Sequence, residues 1–285
     1  MFKNVLVGVD GRPAGRDAIA LASHLTAPDG KLTLANVHSG GLHPIRAVTP
    51  GSGEAERDGS NTLLEAERAA AGVEAELVSV VSGSPGRGLH QQTEDQHADL
   101  LVVGSCGRGA LGRVMLGDDT RAALNGAPCA VAVASAGYGK HPTPLANVGV
   151  GYNDSAESEA ALAAARELAA PTKATVHALQ VVSIPPYAYT GLIPADIGDS
   201  MEEILKDAER RMAELPDVEA RVVYGLAGEE LAAFGELLDM LVVGSRGYGP
   251  VKRLMLGSTS DFLERHARCS LLVLPRGSAT DSAHP

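Results

Sequence analysis

Short apolar runs alternate with segments of helical spacing along the 285-residue chain. Continuous apolar runs predict strands buried on both faces, because such strands show no alternation of polar and apolar residues. Strands that alternate with helices predict an α/β fold with a parallel sheet covered by helices on both faces. The predicted strands are residues 5–9, 32–37, 76–81, 100–103 and 130–133 in the first half, and residues 148–152, 174–182, 220–224, 240–243 and 270–274 in the second.

Helical periodicity places the predicted helices between these strands. Residues 17–25 carry apolar positions at helical spacing, and the pattern predicts further helices over residues 62–71, 89–96 and from 119 to 124. Residues 39–60 are rich in glycine and proline and show no periodicity, so we predict a long loop there.

The chain carries the same pattern twice. Residues 101–117 read LVVGSCGRGALGRVMLG and residues 241–257 read LVVGSRGYGPVKRLMLG, an offset of 140. Other matched segments lie 142 or 143 residues apart, so the order of elements is kept. Two copies of this size predict two tandem domains, each large enough to bury its own core. The predicted division is residues 1–136 for the first domain, 137–146 for a linker, 147–276 for the second domain and 277–285 for a flexible tail.

Charge and composition exclude several classes of function. The net charge is −11 and no run of lysine and arginine occurs, which argues against a nucleic-acid binder. No apolar stretch approaches the roughly 18 residues of a membrane-spanning helix. The apolar run at the N-terminus is too short for a signal peptide, because an acidic residue already stands at position 10. Three cysteines form no disulfide framework, so we expect the protein to reside in the reducing cytoplasm. Cys129 and Cys269 begin equivalent strands and are predicted to lie in the core.

Glycines stand where two strands of each half end. Gly8 and Asp10 follow the first strand, and Gly104, Gly107 and Gly117 follow the fourth. In open parallel sheets ligands bind at the carboxyl ends of the strands, at the point where the strand order switches. A strand that leads through glycines into a helix N-terminus can hold phosphate. We therefore predict a phosphate-binding cleft between strands one and four of each half.

The sequence favours neither a dinucleotide-binding fingerprint nor a metal site. Residues 107–112 match a GxGxxG dinucleotide fingerprint, but they follow strand four rather than strand one, and the second copy has Lys252 in place of Gly112. Nine histidines suggest a metal, yet no HExxH or CxxC motif occurs, and we expect His38 and His43 to be solvated loop residues.

At these glycines the chain resembles the universal stress protein family. The family motif is glycine, two residues, glycine, nine residues, glycine, and then serine or threonine. The second half matches it in full at Gly244, Gly247, Gly257 and Ser258. The first half matches at its three glycines, but Asp118 replaces the serine or threonine. The resemblance covers nearly the whole chain and implies two tandem copies of an open, five-stranded parallel sheet, Rossmann-like in arrangement.

The resemblance also implies ATP, with or without Mg²⁺, as the ligand. In the family an aspartate that ends strand one contacts the nucleoside, and a residue late in strand two lies against the base. An offset of 142 makes Leu179 the counterpart of Val37 in strand two. The implied site of the second half is Gly151, Asn153, Leu179, Gly244, Ser245, Arg246, Gly247, Gly257, Ser258 and Thr259. That of the first half is Gly8, Asp10, Val37, Gly104, Gly107, Gly117 and Asp118.

The two implied sites differ at the phosphate. Asp118 would put a carboxylate there, and two negative charges 4 Å apart repel by about 4 kcal/mol at an effective dielectric constant near 20. A bridging Mg²⁺ reverses the sign of that effect. Asn153 replaces the aspartate of the second half, but its carbonyl oxygen still accepts hydrogen bonds. We therefore expect tighter ATP binding in the second half and a degenerate site in the first.

Two classes of function remain open from the sequence. The first is a cytoplasmic ATP-binding regulatory or stress-response protein without catalysis or with slow hydrolysis. The second is an enzyme, either a slow ATPase or a nucleotidyl transferase. The absence of a Walker lysine or a convincing general base favours binding. Because single-domain members dimerise through the last strand, the resemblance implies that the two halves pair internally as a pseudo-dimer. A homodimer of the tandem is a further possibility.

Overall fold

The computed structural model describes residues 1–41, 51–105, 114, 118–183, 195–245, 254 and 257–275, with only the backbone described at 118–120 and 195–201. This part of the chain contains ten strands and eight α-helices. The strands are β1 Phe2–Gly8, β2 Thr26–His38, β3 Glu76–Val81, β4 Leu100–Gly104, β5 Ala130–Ala134, β6 Asn147–Gly151, β7 Thr175–Ser183, β8 Glu219–Gly225, β9 Met240–Gly244 and β10 Ser270–Leu274. The helices are α1 Pro13–Leu25, α2 Ser52–Ala71, α3 Pro85–Asp95, α4 Asp118–Leu124, α5 Ala156–Ala169, α6 Ala195–Ala213, α7 Ala227–Phe234 and α8 Ser258–His266.

All ten strands form one sheet in the order β3-β2-β1-β4-β5-β10-β9-β6-β7-β8. Within each half the five strands are parallel, as the sequence predicts. The strand order switches between β1 and β4 in the first half and between β6 and β9 in the second. The predicted α/β fold with two copies of a five-stranded parallel sheet is confirmed.

The two halves meet through their last strands. β5 and β10 pair antiparallel, with Ala132 opposite Leu272. These two residues lie 140 positions apart and are therefore equivalent, so a local two-fold axis passes between them. The predicted internal pairing of the halves is confirmed. Pairing also covers the edge that either apolar strand would otherwise expose.

The core consists of two layers, one on each face of the sheet. Side chains alternate along a strand, so Val5 and Val7 belong to one layer and Leu6 to the other. Each layer contains residues of both halves, for example Val148 in the first and Leu241 in the second. The hydrophobic core is thus continuous across the junction.

The segment between the halves is packed against helix α1. The buried carboxylate of Asp17 accepts hydrogen bonds from the N–H groups of Gly137 and Gly139, at 2.8 and 2.7 Å. The hydroxyl of Tyr138 lies 2.7 Å from Nδ1 of His24. Burial raises the pKa of Tyr138 to about 12, so its hydroxyl stays protonated at neutral pH. These contacts fix the linker to the first half.

The predicted loop over residues 39–60 is wrong from Ser52 onward, because α2 begins there, and residues 42–50 lie outside the described residues. The buried positions of this helix include Ser60 and Glu67, so its buried face does not show as a hydrophobic pattern. Glu67 pairs instead with Arg16 of α1, Oε2 to Nε 2.9 Å. Leu64 anchors the helix in the core, and this ion pair adds a polar contact that hydropathy cannot detect.

Candidate functional site

A cleft of about 480 Å³ opens at the switch point between β6 and β9 of the second half. This volume lies within the usual range for small-molecule sites. The carboxyl ends of the two strands form its base, and the N-terminal ends of α5 and α8 border it. The position agrees with the rule that ligands bind where the strand order reverses.

Every residue of the implied second-half site that the structure describes lines this cleft. Arg246 and Gly247 lie outside the described residues. The predicted residues brought together here are Gly151, Asn153, Leu179, Gly244, Ser245, Gly257, Ser258 and Thr259.

The N-terminus of α8 presents backbone donors to the cleft. The N–H of Asp261 donates to the carbonyl of Gly257 at 2.8 Å and makes the first helical bond. The preceding N–H groups, from Ser258 to Ser260, have no acceptor within the helix because they belong to its first turn. Gly257, Ser258, Thr259 and Ser260 all line the cleft. Its electrostatic field at this end therefore favours an anion.

A second helix begins at the same cleft. Ser155 caps α5, and its Oγ accepts from the N–H of Ser158 at 3.2 Å. Ser155 Oγ also donates to Oδ1 of Asn153 at 2.6 Å. The carbonyl oxygen of Asn153 is thus already engaged in the loop that precedes α5.

Ser245 contributes a hydroxyl at the base of the cleft. The residue is 5% exposed, and its N–H donates to the carbonyl of Leu274 at 2.8 Å. Its Oγ has no hydrogen-bond partner within the described part of the chain. A buried hydroxyl without a partner costs free energy, which a ligand oxygen in the cleft can recover.

The strand register corrects one predicted equivalence. Gly8 pairs with Ala35, and the equivalent Gly151 pairs with Leu179. Leu179 is therefore the counterpart of Ala35, and Val181 is the counterpart of Val37. The offset of 142 was wrong here because the connections before β2 and β7 differ in length. Leu179 and Val181 point to the same face, and both line the cleft.

Other lining residues were missed because no motif marks them. They are the hydroxyl residues that cap the two helices, the apolar residues of α7 and the strand ends, and one carboxylate. A search of the strand ends and helix caps for hydroxyl residues finds several of them. These residues are Tyr152, Ser155, Glu157, Ser158, Val181, Ser183, Ala227, Leu231, Val243 and Ser260.

The glycines that end β4 and β9 are needed for the close approach of two helices to the sheet. A Cβ on Gly104 would overlap the carbonyl group of Ala14, at the start of α1. A Cβ on Gly244 would lie 2.7 Å from Cβ of Glu157 and 2.8 Å from its carbonyl oxygen. These glycines let α1 and α5 approach the sheet. Their missing side chains do not by themselves make room for phosphate.

In the first half, the described site residues take part in local contacts. Asp10 Oδ1 accepts from the N–H of Arg12 at 3.0 Å. A Cβ on Gly88 of α3 would lie 2.9 Å from a methyl of Val37. Gly8 ends β1, Gly104 ends β4 and Asp118 begins α4, whereas Gly107 and Gly117 lie outside the described residues.

Metal and membrane signals are missing from the described residues. No group of three or more histidine, cysteine, aspartate or glutamate side chains there could hold a metal ion. In the same ranges no helix has the length and hydropathy of a membrane span. His38 is not a solvated loop residue: its Nε2 lies 2.8 Å from Oγ of Ser79, and its Nδ1 lies 3.4 Å from Glu56. His43 lies outside the described residues.

The switch-point cleft and the open parallel sheets define a doubly wound α/β protein built as a tandem. The chain belongs to the universal stress protein family, whose family model matches residues 1–135 and 145–275.

Individual relatives agree with this assignment. A universal stress protein of Mycobacterium tuberculosis, Rv2005c, is 32% identical over 183 residues, which cover 62% of this chain and 61% of the relative. One from Thermus aquaticus is 30% identical over 139 residues, covering 46% of this chain and 97% of the relative.

Solved structures share the fold of the whole tandem. A universal stress protein from Archaeoglobus fulgidus has a TM-score of 0.66 at 19% identity, covering 96% of this chain and 98% of its own. A structure of a universal stress protein from Pseudomonas aeruginosa has a TM-score of 0.65 at 18% identity, covering 96% and 94%. At this level of identity the likeness concerns the fold alone.

Proposed function

We propose that the second-half cleft binds ATP and that the protein acts in the cytoplasm as a nucleotide-dependent regulatory or stress-response factor. The observation that carries the proposal is the convergence of the full glycine-serine motif and two helix N-termini on one cleft. The chemistry of the residues that line the cleft supports ATP as the ligand.

The phosphate groups belong at the start of α8. The first-turn N–H groups and the hydroxyls of Ser258 and Thr259 offer donors to an anion, and Ser245 adds a buried one. No Lys or Arg occurs among the described lining residues. Backbone dipoles and hydroxyls would therefore supply much of the phosphate binding, with Arg246 as the predicted cationic contact.

The base belongs beside β7. Tyr152 N–H donates to the carbonyl of Leu179 at 3.0 Å, so the polar groups of Leu179 face β6. The backbone of Val181, two residues further on, faces the same side, where β6 has already ended at Gly151. Together with the apolar side chains of Ala227 and Leu231, this edge suits a planar base that accepts and donates hydrogen bonds.

Magnesium is the proposed companion of the nucleotide. Glu157 is the carboxylate among the described lining residues, and it stands in the first turn of α5. A carboxylate repels phosphate unless a cation lies between them. Glu157 and phosphate oxygens are hard ligands of the kind Mg²⁺ prefers. ATP should therefore bind more tightly with Mg²⁺ than with EDTA.

Affinity should differ between the halves. The first half places Asp118 at the start of α4, where the second half has Ser258 at the start of α8. A carboxylate there opposes a phosphate charge, whereas a serine donates to it. We propose that the second site is filled first, and that the first is empty, dependent on Mg²⁺ or occupied by a less phosphorylated nucleotide.

Binding rather than turnover is the preferred reading, because the described lining holds no histidine or lysine and its one carboxylate, Glu157, is assigned to Mg²⁺ rather than to a general base. A slow ATPase or nucleotidyl transferase is the alternative. Calorimetric titration with ATP, with and without Mg²⁺, tests the proposal when combined with a steady-state phosphate-release assay. We expect one tight site per chain and little phosphate release. The variant Asp118→Ser should strengthen ATP binding at the weaker site, which lies in the first half.

Two results contradict parts of this account. Two equal sites in the wild-type protein contradict the asymmetry. No measurable binding by a folded protein contradicts ATP as the ligand. Light scattering during the same preparation shows whether the tandem itself forms a homodimer.

A further inference from the structure

The first half of the chain holds helix α8, which borders the second-half cleft. Arg121 of α4 forms an ion pair with Asp261 in the first turn of α8. Nε of Arg121 also lies 3.1 Å from Oε1 of Glu264, one turn later. The side chain of Glu264 is 1% exposed, so its partner in the other half offsets the cost of burying a charge.

A second contact fixes the chain just before α8. The N–H of Leu254 donates to the carbonyl of Ala127, and the N–H of Gly126 donates to the carbonyl of Leu254, each at 2.9 Å. The side chain of Leu254 is fully buried. Leu254 precedes Gly257 by three residues, so their Cα atoms lie within about 11 Å of each other. The start of α8 is therefore tied to the backbone of the first half.

The contact is reciprocal but unequal. Val114 is the equivalent of Leu254, and its N–H donates to the carbonyl of Ala267 at 2.8 Å. Each of these two residues lies inside the glycine motif of its own half and contacts the segment between the last helix and last strand of the other. The described residues show two such backbone bonds for Leu254 and one for Val114.

We propose that the first half is a working part of the second-half nucleotide site. Arg121, Gly126 and Ala127 are positioning residues that hold α8 so that its N-terminal donors face the phosphate. This inference rests on the proposed function. Nucleotide binding in the cleft is then linked to the contact between the halves, and by reciprocity ATP tightens that contact.

The test compares two matched pairs of substitutions. Arg121→Gln together with Glu264→Gln removes the charge of Arg121 and that of its buried partner, while Asp261 keeps its charge. Arg16→Gln together with Glu67→Gln removes a similar pair within the first half, where Nε lies 2.9 Å from Oε2 and Glu67 is 7% exposed. Hydrogen exchange of peptides over residues 258–266, measured as ATP is added, reports affinity at the second site.

The variant with the Arg121 and Glu264 substitutions should bind ATP at least about tenfold more weakly at this site, and the control pair should stay within about threefold of wild type. In the wild-type protein ATP should also slow exchange over residues 121–127. Unchanged affinity in the first variant, or protection confined to the second half, overturns the inference.

Two substitutions of Leu254 provide a second test in case the first variant does not fold. If circular dichroism shows that the first variant is unfolded, Leu254→Ala should weaken ATP binding while Leu254→Met, which conserves volume, restores it. Equal affinity in the two overturns the inference. If ATP protects no part of residues 258–266 in the wild-type protein, the proposed function itself fails, and the inference fails with it.

Discussion

Arg121 and Asp261 occupy equivalent positions in the two halves and form an ion pair with each other across the local two-fold axis. A symmetric pair of identical domains would place the same residue on both sides of the axis. Two copies of the first half would bring arginine near arginine, and two copies of the second would bring aspartate near aspartate. The difference in charge therefore favours pairing of the first half with the second.

Charge reversal tests this complementarity. Arg121→Asp should lower the free energy of unfolding by about 3 kcal/mol or more, because Glu264 becomes a buried charge without a cationic partner from the first half. Arg121→Asp with Asp261→Arg should recover most of the loss, since an arginine three residues before Glu264 can still reach it. Urea unfolding of both variants measures this. A double variant no more stable than the single one contradicts the pairing.

The pH dependence of stability should reveal Glu264. Burial raises the pKa of its carboxyl above the ordinary value of 4.5, and Arg121 opposes this by lowering it. The folded state therefore binds the proton more tightly than the unfolded state, so stability falls as pH rises above 4.5. Relative to Glu264→Gln, the wild-type protein should lose stability as the pH rises above 4.5 and through the raised pKa of the folded state. A difference that stays constant over this range contradicts the assignment.

Two glycine substitutions should have opposite effects. Gly104→Ala puts a methyl group against the carbonyl of Ala14, so helix α1 must shift, at a cost of about 2 kcal/mol. Gly59 lies inside α2 with no atom within 4 Å of an added Cβ, and Gly59→Ala should stabilise by about 0.5 kcal/mol. Thermal unfolding distinguishes them. Equal effects would show that the close approach of α1 does not constrain Gly104.

Ser245→Ala should separate stability from binding. In the free protein it removes a buried hydroxyl without a described partner, so stability should stay unchanged or rise slightly. In the complex it removes a donor to the nucleotide, which is worth about 1 kcal/mol or roughly fivefold in affinity. Calorimetric titration and unfolding of one preparation measure both quantities. A loss of stability with unchanged affinity assigns the hydroxyl to the fold instead.

Most of the fold can be predicted from the sequence because buried parallel strands leave a clear apolar signal. The pairing of β5 with β10 is what the family resemblance implies, and the short apolar character of both strands agrees with it. The start of α2 cannot be predicted in this way, since Ser60 and Glu67 stand on its buried face. The docking of the linker rests on Asp17, which has no counterpart in the second half, where Ala160 stands.

The candidate site likewise contains residues that the sequence identifies and residues that only the structure identifies. A spaced motif identifies Gly257 and Ser258, because the spacing of glycines is visible in the sequence. The strand register shows that Val181, and not Leu179, is the counterpart of Val37. The sequence cannot show this, because the loops differ in length between the two copies. The contact of Leu254 with Gly126 and Ala127 is made by backbone atoms, so no residue type indicates it.

The most direct test of the central claim is to map where an azido-adenine analogue of ATP becomes attached to the full-length protein on illumination. The labelled peptides, identified by mass spectrometry, should come from residues 179–183 or 227–231, which border the proposed base position. Excess ATP should abolish the label. Labelling that ATP does not compete away, or that falls only on peptides of residues 1–136, would contradict the assignment of ATP to the second-half cleft.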